Sequence, residues 1–204
     1  MSEPILPEGL WRRVEPLLPE PKLKKRNVLG AGRKPSEPRR VMTGILFVLK
    51  TGIPWKLLPA TSDFPSGYTC RRKLVEWHRA GVWQKLLQNL LAELQQKRKL
   101  DWRRAIVDSS SVRASHGGEK TGPNPTDRRK LGSKHHLLTE AHGIPLSFTL
   151  TGANRHDVTQ LLALVERIPP VSGKRGRPRR RPDRVQGDRA YDSEPHRRAL
   201  KKRA

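Results

Sequence analysis

The spacing of apolar residues changes at Asp101, and this change limits the chain to a fold with two different parts. Before Asp101, apolar residues recur every three or four positions, which is typical of amphipathic helices. Proline and glycine divide this region into separate helices. Four are predicted, over residues 7–18, from a Ser36 cap to the break at residues 51–55, around residues 74–77, and from Val82 to Lys97.

After Asp101 the apolar residues form short runs typical of β-strands, predicted over residues 104–110, 134–139, 145–151 and 184–188. A compact connection between the second and third strands predicts an antiparallel hairpin. Asp157 is expected to cap a helix that ends at Pro169. The order of elements predicts an α+β or α/β domain with a mixed sheet.

Two domains are therefore expected, an all-helical region over residues 1–100 and an α/β domain over residues 101–204. Residues 22–36 are basic and rich in glycine and proline, which predicts a connector that lies along phosphates. A second basic segment, residues 172–183, is expected to be a hook-like linker inside the second domain.

Positive charge dominates the sequence, with 43 Lys and Arg against 19 Asp and Glu and a formal net charge of +24. Such an excess favours a polyanionic partner, and nucleic acid is the obvious one. A merely soluble charged surface is the alternative, although such surfaces usually mix both signs. A membrane-surface helix is disfavoured, because the basic residues lie beside proline and glycine.

The single cysteine, Cys70, excludes an internal disulfide and a zinc ribbon. No apolar run approaches the roughly 18 residues that a membrane span needs, and the N-terminus lacks a signal-peptide charge pattern. We therefore expect a cytoplasmic protein that stays with its DNA and has no membrane partner.

The third predicted helix carries Arg71, Arg72 and Lys73. Several short helices with a basic one near the end resemble a helix-turn-helix arrangement, in which arginine or lysine reaches base edges in the major groove. These three residues are therefore expected to bind DNA. The alternative is a plain helical bundle that supports the second domain.

Two further basic segments are expected to contact DNA. In the loop after the first strand the candidates are Lys120, Arg128, Arg129 and Lys130, and a solvated loop is the alternative. Residues 173–182 resemble a short Arg-Gly-Arg-Pro hook that inserts into narrow A·T-rich minor grooves, and a simple charged linker is the alternative. The candidates in this hook are Lys174, Arg175, Arg177, Arg179 and Arg180.

Two acids, Asp108 and Asp188, each end a short predicted strand. Neighbouring strands would bring the carboxylates together, and hard oxygen ligands of like charge suit Mg²⁺ or Mn²⁺. A pair of such ions can activate a nucleophile and stabilise a leaving oxygen at a phosphodiester. The alternative is a turn or cap residue at each strand end. The histidines lack the pattern of a zinc site and are expected to contact DNA or form hydrogen bonds.

Several ordered segments resemble the bacterial insertion-sequence transposases of the Asp-Asp-Glu (DDE) type. In the second half the resemblance lies in residues 107–114, 117–125, 132–137, 150–157 and 187–193, and in the helical half it lies in residues 44–55 and 66–70. It implies an incomplete RNase H-like core of mixed sheet and helices. In that family two Asp and one Glu surround divalent metal, cleave the element's ends and join them to target DNA.

Within this resemblance Asp108 matches the first catalytic, metal-binding acid and Asp188 matches the second. The implied cofactor is Mg²⁺ or Mn²⁺, and the implied partner is double-stranded DNA at element ends and target. The third acid is a helical Glu well beyond Asp188, and Glu194 follows too closely to replace it. One departure is Ala190, where the family usually has glycine.

The resemblance leaves two hypotheses. The first is a metal-dependent DNA recombinase, or an amino-terminal fragment of one, and it is compatible with a homo-oligomer on DNA. The second is a truncated DNA-binding product that competes with, or regulates, the full-length transposase. Under either hypothesis we expect the 204 residues alone to bind DNA without cleaving it. An RNA-binding protein is disfavoured, because the aromatic stacking motif of common RNA modules is absent.

Overall fold

A computed structural model describes residues 4–20, 35–61 and 63–203. The chain divides into two compact units, Met1–Leu87 and Gln88–Ala204. The expected basic connector lies outside the described residues except for its last two positions, and the expected domain boundary at residue 100 stays a prediction. In the described part of the chain, every helix is too short or too polar to span a bilayer.

The first unit is built from helices, as the apolar spacing predicts. Ser66 caps one of them, since its Oγ accepts a hydrogen bond from Thr69 N at 3.4 Å. The expected Ser36 cap is wrong, because Glu37 occupies that position and forms no side-chain cap bond. Its helices are α1 (Glu8–Val14), α2 (Pro38–Thr51) and α3 (Gly67–Arg79), with 3-10 turns at Glu15–Leu17 and Trp55–Leu57. A fourth helix, α4 (Val82–Gln96), begins in the first unit and continues past Leu87 into the second.

The core of the first unit lies between α2 and α3. Gly67 begins α3 so close to the chain before it that a Cβ atom there would lie 1.8 Å from Trp55 O. Gly44 of α2 similarly faces Cys70, whose Sγ would be 2.7 Å from an added Cβ. These glycines let α3 lie directly on its neighbours. The buried apolar residues are Leu6, Trp11, Val14, Val41, Met42, Ile45, Val48, Leu58, Phe64, Cys70, Trp77 and Val82.

The second unit contains a five-stranded mixed sheet, so the predicted fold class is confirmed. The central strand β1 pairs antiparallel with β3 on one side and parallel with β5 on the other. Strand β4 completes the predicted hairpin with β3, and the short β2 pairs with the start of β3. The strands are β1 (Ala105–Arg113), β2 (Gly122–Pro123), β3 (Leu131–Glu140), β4 (Pro145–Gly152) and β5 (Val185–Gln186).

Helix α5 (Val158–Glu166) covers one face of this sheet. It buries Leu161, Leu164 and Val165, as its apolar spacing predicts. Ser147 of β4 donates a hydrogen bond from Oγ to Leu164 O at 2.7 Å, which satisfies a buried hydroxyl. A last helix, α6, runs from Glu194 to Lys201.

Glu140 fixes the hairpin between β3 and β4. Its fully buried carboxylate accepts backbone N–H groups from Asp101 (2.9 Å), His142 (2.7 Å) and Ile144 (3.0 Å). Burial raises the pKa of this carboxyl, but the hydrogen bonds from Asp101, Ile144 and His142 outweigh burial and hold the pKa below its usual range. The hairpin register therefore depends on an ionised glutamate.

Candidate active site and DNA-contacting surfaces

Asp108 and Asp188 occupy equivalent positions on neighbouring parallel strands. The pairing of β1 with β5 joins Ala105 to Val185 and Ile106 to Gln186. Each aspartate follows the second pair by two residues, Asp188 just beyond β5 and Asp108 within β1, which continues to Arg113. The expectation that Asp108 ends its strand is therefore wrong, but the register of the two strands puts the acids at corresponding positions along them.

Both carboxylates are exposed and keep one oxygen available. Asp108 Oδ1 accepts Ser109 N at 2.7 Å, and Asp188 Oδ1 accepts Ala190 N at 2.9 Å. Within the described ranges neither aspartate forms an ion pair, although the chain carries a formal charge of +24. Ala190 has no positive φ angle, so this turn does not require the glycine that the resemblance implies.

Tyr191 follows Asp188 by three residues and packs against Gly187, where an added Cβ atom would lie 3.1 Å from Tyr191 Cβ. Its ring is buried, and its hydroxyl has no hydrogen-bond partner among the residues that the structure describes. The pKa of Tyr191 is raised to about 12, chiefly by burial, with Ser109 lowering it and the carboxylates of Asp157, Asp108 and Asp188 adding to the rise. The charges of three carboxylates thus act on one buried phenol.

Asp157 stands at the N-cap position of α5, as predicted, but its side chain forms no cap hydrogen bond. The carboxylate instead accepts Ser109 Oγ at 2.9 Å, beside Asp108. The only sequence signal was its position at the end of the 150–157 segment of the family resemblance, next to His156. Tyr191, in the 187–193 segment, was likewise missed as part of the site.

Three glycines of the resembling segments allow the loops behind this edge to pack closely. A Cβ atom on Gly122 would lie 2.2 Å from Asn154 Oδ1, and one on Gly152 would lie 2.8 Å from the same oxygen. Gly132 would meet Val112 O at 3.0 Å. Side chains at these positions would push β2, β3 and β4 apart, so the close packing of these strands requires glycine at all three positions.

The exposed face of α3 gathers the predicted DNA-contacting arginines of the first unit. Arg71 and Arg72 are exposed, and with Tyr68, Val75 and Arg79 they line a groove of about 460 Å³. Tyr68 is 74% exposed and Val75 is 41% exposed, so the face is both cationic and apolar. Lys73 differs from the two arginines, because it is half-buried and its Nζ pairs with Glu76 at 2.8 Å.

The turn over residues 124–130 presents the next group of predicted cations. Asn124 N donates to Lys130 O at 2.9 Å, and Arg129 N donates to Asn124 O at 2.9 Å. Arg128 and Arg129 adopt left-handed backbone conformations, with φ of 48° and 58°. Both side chains are exposed, as are those of Lys120 and Lys130. Arginine at two successive left-handed positions is strained, and such strain is typical of functional turns.

The predicted hook forms a closed loop between Val171 and Arg179, with two backbone hydrogen bonds of 2.9 and 3.0 Å. Gly173 packs against α4, because a Cβ atom there would lie 2.4 Å from Ala92 O. Arg179 stacks over Trp102 at 5.4 Å from the ring centroid and pairs with Asp183. The other candidate side chains of the hook are exposed and form no ion pair in the described part of the chain. They are Lys174, Arg175, Arg177 and Arg180.

Among the described residues, no group of three or more His, Cys, Asp or Glu is arranged to hold a metal ion. The histidines of β3 fit the expected hydrogen-bonding role, since buried His136 lies with Nε2 2.9 Å from Thr151 Oγ1. The two exposed aspartates are nevertheless oxygen donors of the kind that Mg²⁺ and Mn²⁺ prefer.

Comparison with known proteins assigns both halves of the chain. Residues 6–87 match the family described as a putative transposase of the IS4/5 family, and residues 100–204 match the transposase DDE domain. The chain belongs to the DDE transposases of the IS4/5 family, whose members act in DNA transposition.

Two relatives come from the insertion element IS402 of Burkholderia cepacia. An uncharacterized 16.2 kDa protein is 48% identical over 125 residues, which cover 61% of this chain and 84% of that protein. A putative transposase is 58% identical over 101 residues, which cover 50% of this chain and 46% of that protein. The chain thus spans about half the length of the second relative. No solved structure matches the chain.

Proposed function

We propose that Asp108 and Asp188 are the first two carboxylates of a divalent-metal site that cleaves and joins DNA strands. The observation that carries this proposal is the parallel register of β1 and β5, in which each acid follows the last residue pair by two positions. Their family positions, within the matched residues 100–204, support the same assignment.

The donor set fits Mg²⁺ or Mn²⁺. Each carboxylate is exposed, free of ion pairs within the described ranges, and retains an oxygen that accepts no hydrogen bond there. A divalent cation bound there would stabilise negative charge at a scissile phosphodiester. The residues of this chain bind and orient: backbone N–H groups of Ser109 and Ala190 hold the carboxylates, and the buried Tyr191 packs next to Gly187, the residue before Asp188.

The partner that we propose is double-stranded DNA, at the ends of the element and at the target. The groove face of α3 offers Arg71 and Arg72 to base edges, while Lys73 contributes less because it pairs with Glu76. Phosphate contacts come from exposed cations, which bind any sequence. These are Lys120, Arg128, Arg129 and Lys130 of the second unit.

The loop of residues 171–179 is proposed to enter A·T-rich minor grooves. Arg175 and Arg177 are its exposed tips, flanked by Lys174 and Arg180. Arg179 is the anchor of the loop, because it stacks on Trp102 and pairs with Asp183. A closed loop loses less conformational freedom on binding than a free linker does, and narrow minor grooves attract arginine.

We further propose that residues 1–204, as an isolated polypeptide, bind DNA without cleaving it. In the family the third carboxylate is a helical Glu well beyond the second acid, and Glu194 follows Asp188 too closely to take that place. Such a polypeptide would occupy element ends in competition with a complete transposase. It would act in the bacterial cytoplasm, as several copies on DNA.

The test combines binding, metal affinity and chemistry on a duplex that carries the element's ends. Fluorescence anisotropy should show affinity that falls steeply with salt, by about 0.9 in log–log slope for each neutralised phosphate. Mn²⁺ binding followed by electron paramagnetic resonance should be lost in Asp108→Asn and Asp188→Asn, while DNA affinity is retained.

Cleavage with Mg²⁺ or Mn²⁺ should appear only in a chain extended by the family's downstream segment, and Asp108→Asn should abolish it. Cleavage by residues 1–204 alone would show that the third acid lies within them. Activity that survives Asp108→Asn in the extended chain would refute the assignment of the first acid.

A further inference from the structure

The carboxylate of Asp157 connects two strands of the sheet. It is 17% exposed, and its Oδ1 accepts Ser109 Oγ of β1 at 2.9 Å. The same oxygen lies 3.1 Å from Lys134 Nζ and 3.6 Å from His136 Nδ1, both on β3. A helix cap would use the carboxylate for backbone N–H groups of α5, and Asp157 does not do so.

Lys134 balances the charge of Asp157. Its ammonium is 14% exposed and also donates to Arg155 O at 2.9 Å, so both partners of the ion pair are held in place. A half-buried carboxylate with a cation at 3.1 Å is less available to a metal than an unpaired one. This pairing distinguishes Asp157 from Asp108 and Asp188, and it favours a supporting role.

The middle of β1, around Asp108, needs such support. Strand β5 pairs with β1 only at Ala105 and Ile106, so β1 has no β5 partner at Asp108. At Ser109 the strand is held by β3 on one side and by the hydrogen bond from its Oγ to Asp157. Ser109 N in turn donates to Asp108 Oδ1 at 2.7 Å. Two consecutive hydrogen bonds therefore lead from Asp157 to the carboxylate of Asp108.

We propose that Asp157 is a positioning residue, which orients the carboxylate of Asp108 through Ser109. The inference rests on the proposed function of Asp108 as a metal ligand. Groups that hydrogen-bond to metal ligands or to their neighbours fix ligand orientation, and their removal typically weakens metal affinity by about 10–100-fold. Asp157 contacts Ser109, the neighbour of the proposed ligand, and not the ligand itself. We therefore expect a loss of metal affinity at the lower end of that range.

Ser109→Ala is the decisive variant. It removes the hydrogen bond to Asp157 and leaves the charges of Asp157 and Lys134 unchanged, whereas a change at Asp157 also leaves Lys134 without its partner. Ser109→Thr keeps the hydroxyl on a residue that suits a strand. Glu166→Gln is the matched control, because Glu166 is an acid of the same helix that pairs with Arg203.

The measurements are Mn²⁺ affinity by electron paramagnetic resonance and amide hydrogen exchange at Ser109, both on residues 1–204. Ser109→Ala should weaken Mn²⁺ binding about tenfold and speed exchange at the amide that donates to Asp108. Ser109→Thr should restore both, and Glu166→Gln should match the wild type. Combining Ser109→Ala with Asp157→Ala should add little to the effect of Asp157→Ala alone, because both remove one hydrogen bond.

The outcomes separate this proposal from the proposed function. If Asp108→Asn abolishes Mn²⁺ binding and Ser109→Ala binds like the wild type, the metal site stands and the positioning role of Asp157 is overturned. If the wild type binds no Mn²⁺, the metal site falls and the positioning role falls with it. A loss in Ser109→Ala that Ser109→Thr does not restore would also contradict the proposal, since the hydroxyl is then not the acting group.

Discussion

Gly187 lies against Val107 so closely that a Cβ atom on Gly187 would come within 2.7 Å of Val107 Cγ1. The same atom would lie 3.1 Å from Tyr191 Cβ. Val107 directly precedes Asp108, and Gly187 directly precedes Asp188. The absence of a side chain at Gly187 therefore sets how near the ends of β1 and β5 approach.

Gly187→Ala should separate these strand ends. The added methyl overpacks the contact with Val107, at a cost of about 1–3 kcal/mol in the free energy of unfolding. Mn²⁺ affinity should fall as well, because Asp188 moves with Gly187. Urea unfolding and paramagnetic resonance measure the two effects. Gly9→Ala, within α1, is the control and should leave Mn²⁺ binding unchanged.

On α3, substitution of Arg71 or Arg72 should weaken DNA binding more than substitution of Lys73. Alanine at either arginine should weaken binding to an element-end duplex by about 1–3 kcal/mol if it contacts a base edge. Lys73→Ala should cost less, because its ammonium already pairs with Glu76 at 2.8 Å. Anisotropy at one fixed salt concentration measures all three. Equal losses would mean that α3 does not present one selective face to DNA.

Arg129→Asn should stabilise the fold and weaken DNA binding together. Asparagine tolerates the left-handed backbone that Arg129 adopts at φ 58°, so about 0.5 kcal/mol of strain should be relieved. Loss of the cation removes a phosphate contact and lowers the salt slope by about 0.9. Lys130→Asn, at the next position, is the control that should lose affinity without gaining stability. A more stable variant with unchanged salt slope would remove Arg129 from the interface.

The closed loop should prefer A·T-rich duplex through its tip. Replacing Arg175 and Arg177 by alanine should weaken binding to A·T-rich duplex more than to G·C-rich duplex. The control pair is Lys97 and Lys99, which are also exposed but lie outside the loop. Competition between the two duplexes measures the preference. Equal losses on both would make the loop an ordinary phosphate-binding segment.

His136 should make stability depend on pH. Burial lowers the pKa of His136, with Lys134 and His135 adding to the effect and Asp157 opposing it. The unfolded chain therefore takes up a proton below about pH 6.5 while the folded chain does not. The free energy of unfolding should fall between pH 7.5 and 5.5, by at most about 1.4 kcal/mol per pH unit. Thermal unfolding of His136→Phe should show a shallower slope, whereas His116→Phe, at an exposed position, should not.

Much of the architecture was predictable because it depends on local patterns. The helical repeat of Val82–Gln96 and the hairpin at Glu140 follow from residues close in sequence. The expectation that Asp108 ends its strand was wrong, because pairing with β3 extends β1 to Arg113. Asp157 shows where such reasoning stops. An aspartate before an apolar helix is a normal cap, and only the fold brings Ser109 and Lys134 to its carboxylate. The strand β2 was not predicted, because its two residues are too few to show an alternating pattern.

The parallel pairing of β1 with β5 also sets when the acidic pair forms. Its two residue pairs join positions 105 and 106 to positions 185 and 186, so the pairing closes a loop of about 80 residues. Closing a long loop is costly until the contacts that it allows have formed, and chains emerge from the ribosome in order. The hairpin of β3 and β4 can form on the growing chain long before Asp188 has been synthesised. Asp188 therefore joins late, when the strands that flank Asp108 can already be paired.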